Sequence, residues 1–373
     1  MPVRTAYSTK ELGDAVSDLK KQCGAPQPRV VIYFGSPKYD PRELSRQMKQ
    51  CFPEACVAGC SSAGEIASGN MMSGSVVAMF LDEDIVEDAA CAVVGNLSAE
   101  ISMADAFATL GRHFQAPLAS LDHEKYVGLV LVDGLSGAEE RLMEKLGDAT
   151  DIFFVGGSAG DDLKFQSTPV SENGKTYSNA AVLVLLRVKR GFEIVKTQSF
   201  RTTGKTLVAT KVEEAHRQVI EFNHRPALDA YAAALGITAE EAPARFFHNP
   251  LGLMIAGEPF VRSPQRAEAG TIFFYCQIKE AMELDVLEAT DIVADTRQAI
   301  AERQAVNGSG NGAGSIRGLI DFQCILRTLQ LRDEHRCEQY GSIFRDIPMI
   351  GFSTYGEEYL GHVNQTSTIL LFR

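Results

Sequence analysis

Gly59-Cys60-Ser61-Ser62-Ala63-Gly64-Glu65 is the stretch on which the fold turns, because its neighbours on both sides recur elsewhere in the chain. Upstream lies Arg29–Phe34 (RVVIYF), a continuous apolar run of strand length, and then Pro41–Cys51, with Leu44 and Met48 four apart as on one helix face. Downstream come two further strand-like runs, Ser75–Leu81 and Ile85–Val94. A glycine at the end of a strand permits close backbone approach or a sharp turn, and a carboxylate beside it can cap that turn or face a pocket.

The same order returns from Tyr126. Tyr126–Val132 reads as a strand, Ala138–Leu146 as a helix with Leu142 and Leu146 on one face, and Ile152–Val155 as a strand entering Gly156-Gly157-Ser158-Ala159-Gly160-Asp161. Ala180–Leu186 and Phe192–Thr197 are the strands that follow. Near the end, Gly318–Gln323 is a strand and Asp333–Phe344 a helix. Pro348–Ile350 then enters Gly351-Phe352-Ser353-Thr354-Tyr355-Gly356-Glu357, and Thr366–Phe372 is the last strand. A fourth Gly-acid pair, Gly257-Glu258, follows the apolar run Leu251–Ala256. The acidic members Glu65, Asp161, Glu258 and Glu357 are 96, 97 and 99 residues apart. This grammar predicts an α/β fold, with mixed sheets and flanking helices, in two pseudo-homologous halves built from four related units. The seam is placed at Thr202–Lys205, before a helical stretch Val212–Phe222, and Asn307–Ser315 (NGSGNGAGS) reads as a surface loop.

Composition narrows the function. The 373 residues are 45% hydrophobic and 23% charged, and 36 basic against 48 acidic residues give a formal charge of −12. Such a surface repels nucleic-acid backbones and anionic lipid, and no basic patch offsets it. No apolar run reaches the roughly 18 residues of a membrane span, and the first residues lack a signal-peptide core. The eight cysteines are scattered in strand-like contexts, as reduced thiols are in a cytoplasm; Cys51, Cys56 and Cys60 are close together without zinc-finger spacing. A cytoplasmic protein is expected.

The three complete runs, together with Arg225-Pro226-Ala227-Leu228-Asp229-Ala230-Tyr231, Leu235-Gly236, Asn249-Pro250-Leu251-Gly252 and Cys324-Ile325-Leu326-Arg327, resemble the FIST family of sensory domains. The resemblance covers nearly the whole chain and implies a FIST N-terminal domain over 1–203 and a FIST C-terminal domain over 204–373. It implies a ligand-binding input module and not an enzyme. It also implies, from a haem-binding subset, detection of nitric oxide and control of a separate histidine kinase or cyclic-di-GMP enzyme. No kinase, receiver or cyclase segment is recognisable here, so a separate partner is expected. Oligomeric state stays open, a homodimer included.

Candidate site residues follow from residue chemistry. Ser61, Ser62 and Glu65 of the first copy, and Ser353, Tyr355 and Glu357 of the last, would converge on a cleft at strand ends. Cys324 and Arg327 lie where a strand ends, and a buried Arg327 would need an anionic partner such as Glu357 or a ligand carboxylate. These residues suit the alternative of a small polar metabolite, such as an amino acid. Among seven histidines, His248 stands out: Phe246-Phe247-His248-Asn249-Pro250-Leu251 sets it among large apolar groups, as a haem ligand requires. The third reading is a hydrolase, because Gly156–Gly160 fits G-x-S-x-G with Ser158 as nucleophile. That elbow needs a helix straight after the serine, and a strand-like stretch follows instead. Gly174-Lys175-Thr176 and Gly204-Lys205-Thr206 lack the preceding glycine of a P-loop and read as hairpin turns.

Overall fold

The computed structural model describes residues 2–305 and 315–373, and the chain forms two compact units. Of the described residues, the first comprises 2–197, 296–305, 315–361 and 367–373; the second comprises 198–295 and 362–366. All but Ser315 of the glycine-rich stretch Asn307–Ser315 lies outside the described residues.

In the first unit the chain runs β1 (Val3–Ser8), α1 (Leu12–Cys23), β2 (Val30–Gly35), α2 (Pro41–Cys51), β3 (Cys56–Ser61), β4 (Glu65–Ala67), β5 (Asn70–Met72) and β6 (Val76–Leu81). It repeats that order as β7 (Val86–Val94), α3 (Ala104–Phe114), β8 (Tyr126–Val132), α4 (Glu139–Ala149), β9 (Phe154–Ser158), β10 (Val170–Glu172), β11 (Lys175–Tyr177) and β12 (Ala181–Val188). The third pass opens with β13 (Phe192–Gln198) and is then interrupted by the second unit.

That second unit holds β14 (Phe200–Glu213), β15 (Gln218–Phe222), β16 (Arg225–Pro226), α5 (Ala227–Leu235), β17 (Leu251–Ile255), β18 (Glu258–Arg262), β19 (Pro264–Glu268), β20 (Thr271–Phe274) and β21 (Glu283–Ala289). The third pass resumes with α6 (Ile292–Ala305), β22 (Gly318–Cys324), α7 (Ile325–Asp333), α8 (Cys337–Gly341), β23 (Met349–Thr354) and β24 (Glu357–Tyr359). After β25 (His362–Val363), in the second unit, it ends with β26 (Thr366–Phe372).

Each pass builds one sheet with the same strand order. The orders are β1-β6-β2-β3, β7-β12-β8-β9 and β13-β26-β22-β23, each with a central parallel pair, β2/β3, β8/β9 or β22/β23. The parallel strands are buried on both faces, which is why they read as unbroken apolar runs. The hairpin after each parallel pair leaves its own sheet. β10–β11 of the second repeat pairs with β3 of the first, β24 of the third with β9 of the second, and β4–β5 of the first with β23 of the third. The exchange is cyclic. Inner faces share one core, in which Phe34 meets Phe352 at 4.3 Å between ring centroids. Outer faces carry the helices, Tyr33 and Phe80 under α1 and α2, Val130 and Leu183 beside α3 and α4. Helix α2 starts as its sequence dictates, with Pro41 at the first position and Asp40 accepting the Glu43 amide at 2.8 Å.

The motif glycine is fixed by packing. Gly59, Gly156 and Gly351 stand opposite Tyr33, Val130 and Asp321 in register. A Cβ there would lie 2.4 Å from the Tyr33 carbonyl oxygen, 1.7 Å from that of Val130 and 2.5 Å from that of Asp321. Only glycine fits.

The α/β class with mixed sheets stands, but the parallel-pair unit occurs three times among the described residues. Gly257-Glu258 belongs instead to an antiparallel hairpin in which Ile255 pairs with Glu258 across Ala256 (φ 50°) and Gly257 (φ 84°). Its glycine serves a positive-φ turn and Glu258 is exposed, so the near-equal spacing of the fourth pair is coincidence. Val212–Phe222 is not a helix: it is the end of β14, a single 3-10 turn at Glu214–His216 and β15. Arg217 at φ 53° turns the chain, and Val219 and Phe222 are buried in strand geometry. Gly174 does sit in a hairpin, between β10 and β11, whereas Gly204 lies in an irregularity of β14. The second unit buries its own core of Phe222, Tyr231, Phe246, Leu251 and Phe274.

Candidate functional site

The three motif loops meet at the carboxyl ends of the parallel strands. Gly160 donates its amide to the Ser61 carbonyl at 3.2 Å, Tyr355 to that of Ser158 at 3.0 Å, and Ala63 to that of Ser353 at 3.2 Å. In return Ser61 donates to Pro169, Ser158 to Gly356 and Ser353 to Gly64, at 3.1, 2.8 and 2.8 Å. Ser61, Ser158 and Ser353 are thereby equivalent, and so are the exchanged hairpins beyond them.

The acidic residues are knots of this junction. Glu65 is buried; Ser62 Oγ donates to one oxygen, and Ser75 donates to the other through its amide (3.0 Å) and hydroxyl (2.6 Å). Burial outweighs these donors and pushes its carboxyl up to about 7. Glu357 receives the Thr354 hydroxyl at 2.7 Å. Asp161 accepts Tyr355 Oη at 2.5 Å and the amides of Phe165, Gln166 and Ser167 at 2.9, 2.6 and 3.0 Å. Burial opposes ionisation there, but the Tyr355 hydroxyl and these amides hold its carboxyl below the ordinary aspartate range.

Cys324 ends β22, and Arg327 lies one turn into α7 with 2% of its surface exposed. Arg327 donates to Gln323 Oε1 at 3.1 Å and Thr296 Oγ1 at 2.9 Å. Tyr340 Oη bonds both Gln323 and Asp321, and Ser367 donates to Asp321 at 2.6 Å. Burial raises the Asp321 carboxyl to about 6. The third repeat thus carries a charged cluster around Asp321, where the first has Tyr33 and the second Val130 under the helices. Cys60 points into the shared core, while Cys56 lies against Cys91 of β7.

Ser158 is wholly buried and donates to Glu139 Oε1 at 3.1 Å, and the chain leaves it toward β10, with no helix following. It has neither the exposure nor the turn of a nucleophile elbow. His248 sits exposed on a turn, its amide donating to the Arg245 carbonyl at 3.0 Å. Phe246 packs inward against Tyr231 at 5.3 Å, leaving Phe247 edge-on to the imidazole at 5.8 Å. These surroundings do not supply the enclosing apolar walls that haem needs.

One crevice does open at a motif serine. It lies outside the ends of β2 and β3, beside the first turn of α2, with a volume of about 110 Å³. Tyr33, Ser36, Tyr39, Leu44, Ser61 and Ser171 contribute to its walls. The equivalent serines of the other repeats are satisfied by the helix above them, Ser158 by Glu139 of α4 and Ser353 by Thr328 Oγ1 of α7 at 2.8 Å. Under α2 the crevice carries Leu44 at its wall, and Ser61 Oγ is buried with no hydrogen-bond partner. Tyr33 Oη is buried beside the Ser45 and Ser171 hydroxyls, without a well-formed hydrogen bond to either. Of the residues expected from sequence, Ser61 alone lines this crevice; Ser62, Glu65, Ser353, Tyr355 and Glu357 build the junction behind it. Tyr33, Ser36, Tyr39 and Ser171 were missed. Their signal was Tyr33, the one polar tip in an otherwise apolar strand.

A model of the FIST N domain matches residues 29–225, and one of the FIST C domain matches 227–359. The chain belongs to the FIST family. FIST domains are sensor-type, ligand-binding domains. The boundary between the two FIST segments falls between β16 and α5, inside the second compact unit. An uncharacterized protein of Methanocaldococcus jannaschii is 24% identical over 273 residues, which are 68% of this chain and 52% of that protein. This FIST chain therefore spans about half the length of the curated relative it matches. No helix among the described residues is long and apolar enough to cross a membrane.

Proposed function

We propose that this FIST protein is a cytoplasmic sensor whose small-molecule ligand occupies the crevice at the carboxyl ends of β2 and β3. Occupancy would be read by a separate signalling partner, a histidine kinase or a cyclic-di-GMP enzyme. The observation that carries the reading is internal to the chain: of three equivalent serines, Ser158 and Ser353 are bonded by a helix residue, whereas Ser61 lines the crevice with its Oγ buried and unpartnered. Ligands of α/β sheets sit outside the carboxyl ends of the strands, where this crevice lies. The test is a thermal-shift screen of metabolites against the protein and against Leu44→Phe, which fills the crevice. A ligand present at a hundredfold its Kd stabilises the wild type by about 2.7 kcal/mol and leaves Leu44→Phe unmoved. A ligand that shifts both equally binds elsewhere and removes the assignment.

Haem at His248, with nitric oxide as the signal, is the second reading; it rests on the accessible imidazole edge-on to Phe247, and the missing apolar walls stand against it. Titration with ferrous haem tests it. A Soret band that His248→Ala abolishes, with circular dichroism unchanged, would establish the imidazole as ligand; the same band in both proteins would exclude it.

A further inference from the structure

We propose that the crevice takes a small uncharged molecule that both donates and accepts hydrogen bonds, recognised by the Ser61 and Tyr33 hydroxyls with Leu44 as an apolar wall. This rests on the crevice being the ligand site.

The walls fix the charge of the occupant. They are made of hydroxyl-bearing residues, prolines, glycine, Leu44 and Cys60, none of which carries a charge when protonated as here. Burial pushes the Cys60 thiol well above its ordinary value and the Tyr33 phenol up to about 12, so both stay neutral. A carboxylate or phosphate would enter with no wall cation to meet it, at a cost of several kcal/mol. The field is unfavourable to it as well: burial chiefly, and then the Glu65 and Glu11 carboxylates, hold the Tyr39 phenol up. An ammonium ligand gains little from Glu65, whose two oxygens are already taken by Ser62 and Ser75.

Hydrogen-bond accounting fixes the rest. Most hydroxyls around the crevice already have partners: Tyr39 donates to the Lys10 carbonyl at 2.8 Å, Ser36 accepts the Lys38 amide at 3.2 Å, and Ser171 pairs with Thr176 at 3.1 Å. Ser61 Oγ has none, Tyr33 Oη has only the neighbouring Ser45 and Ser171 hydroxyls and no well-formed bond to either, and a buried hydroxyl left unpaired costs about 1–3 kcal/mol until something bonds it. A hydroxyl can give or take a hydrogen bond, so the complementary ligand has both capacities, as an amide or a diol has. Register supports one molecule meeting both. Gly35 pairs with Ser61 and Tyr33 with Gly59, so the two residues project from the same face, one strand and two residues apart. Their Cα atoms are then roughly 8 Å apart. The volume is that of about four water molecules, which suits a ligand group of some four to six heavy atoms, roughly.

Isothermal titration calorimetry of the full chain with acetamide, propane-1,2-diol, acetate and methylammonium tests this. The two neutral probes should bind, each of Ser61→Ala and Tyr33→Phe should weaken them about tenfold, and Leu44→Phe should abolish the heat. Ser61→Ala should also be at least as stable to urea as the wild type, since it removes an unpaired group. Acetate or methylammonium binding as tightly as the neutral probes, and lost in Leu44→Phe, would overturn the ligand class while leaving the crevice as the site. Neutral binding unchanged in Ser61→Ala and Tyr33→Phe would overturn the recognising pair. No binding by any probe, or binding that Leu44→Phe leaves intact, would overturn both the class and the site.

Discussion

Glu65→Gln should change how stability depends on pH, and in a direction opposite to an ordinary surface carboxylate. The folded carboxyl ionises at about 7 against 4.5 for the free side chain, because burial disfavours the charge more than Ser62 and Ser75 favour it. A raised folded value means that the native state holds the proton where the unfolded chain has released it. Stability from this group is therefore complete below pH 4.5, falls as pH rises from 4.5 to 7, and is level above that. The displacement corresponds to about 3 kcal/mol across the window. Glutamine keeps the volume and cannot ionise, but its amide nitrogen faces a donor where a carboxyl oxygen stood, at a cost of about 1–3 kcal/mol. Urea denaturation followed by tyrosine fluorescence, from pH 4.5 to 8, gives both curves. Near pH 5 the wild type should be the more stable by that hydrogen-bond penalty. By pH 8 the gap should have closed or reversed by about 3 kcal/mol. Curves that stay parallel across the window would show that Glu65 keeps its ordinary ionisation and that its burial is not what governs it.

Three further outcomes follow from packing and charge. Gly156→Ala places a Cβ 1.7 Å from the Val130 carbonyl oxygen and should cost at least about 3 kcal/mol or abolish soluble expression; a wild-type melting temperature would refute the close approach. Arg327→Met strips the buried cluster of its cation and should cost about 2–5 kcal/mol in urea denaturation, part of it regained by adding Asp321→Asn; a neutral single variant would deny the cluster its coupling. Glu258→Ala should lie within about 0.5 kcal/mol of the wild type, and a loss on the scale expected for Glu65 would revive a fourth copy of the motif.

Much of the first unit was legible because its rules are local. The apolar runs at β2, β8 and β22 are long enough to be strands and too continuous to be half-exposed, and the glycine-serine motif marks where each parallel partner ends. The fourth copy misled because Gly257-Glu258 uses the same letters for a different task, a positive-φ hairpin. The helix expected at Asp333–Phe344 is offset: α7 starts at Ile325, where Ile325-Leu326 reads as a continuation of the strand, and His335 at φ 55° separates α7 from α8. The hairpin exchange has no local signature, since β10 carries nothing that names β3 as its neighbour. The crevice was hidden for a related reason. Ser61 and Ser353 look alike in sequence, and they differ only in whether Leu44 or Thr328 lies above them.

Each repeat holds the next by the wrist, and a grip of that kind cannot be released one hand at a time. The first repeat's sheet is finished by the second repeat's hairpin, the second's by the third's β24, and the third's by the first's hairpin. Melting one sheet therefore takes the outer strands from another, and the three should come apart as a single event. Ser61, Tyr33 and Leu44 belong to the first repeat, whereas Ser167, Pro169 and Ser171 across the crevice belong to the second. Whatever settles there rests against one of the clasped joints, where a small change in fit is handed round the circle instead of being absorbed in a single loop.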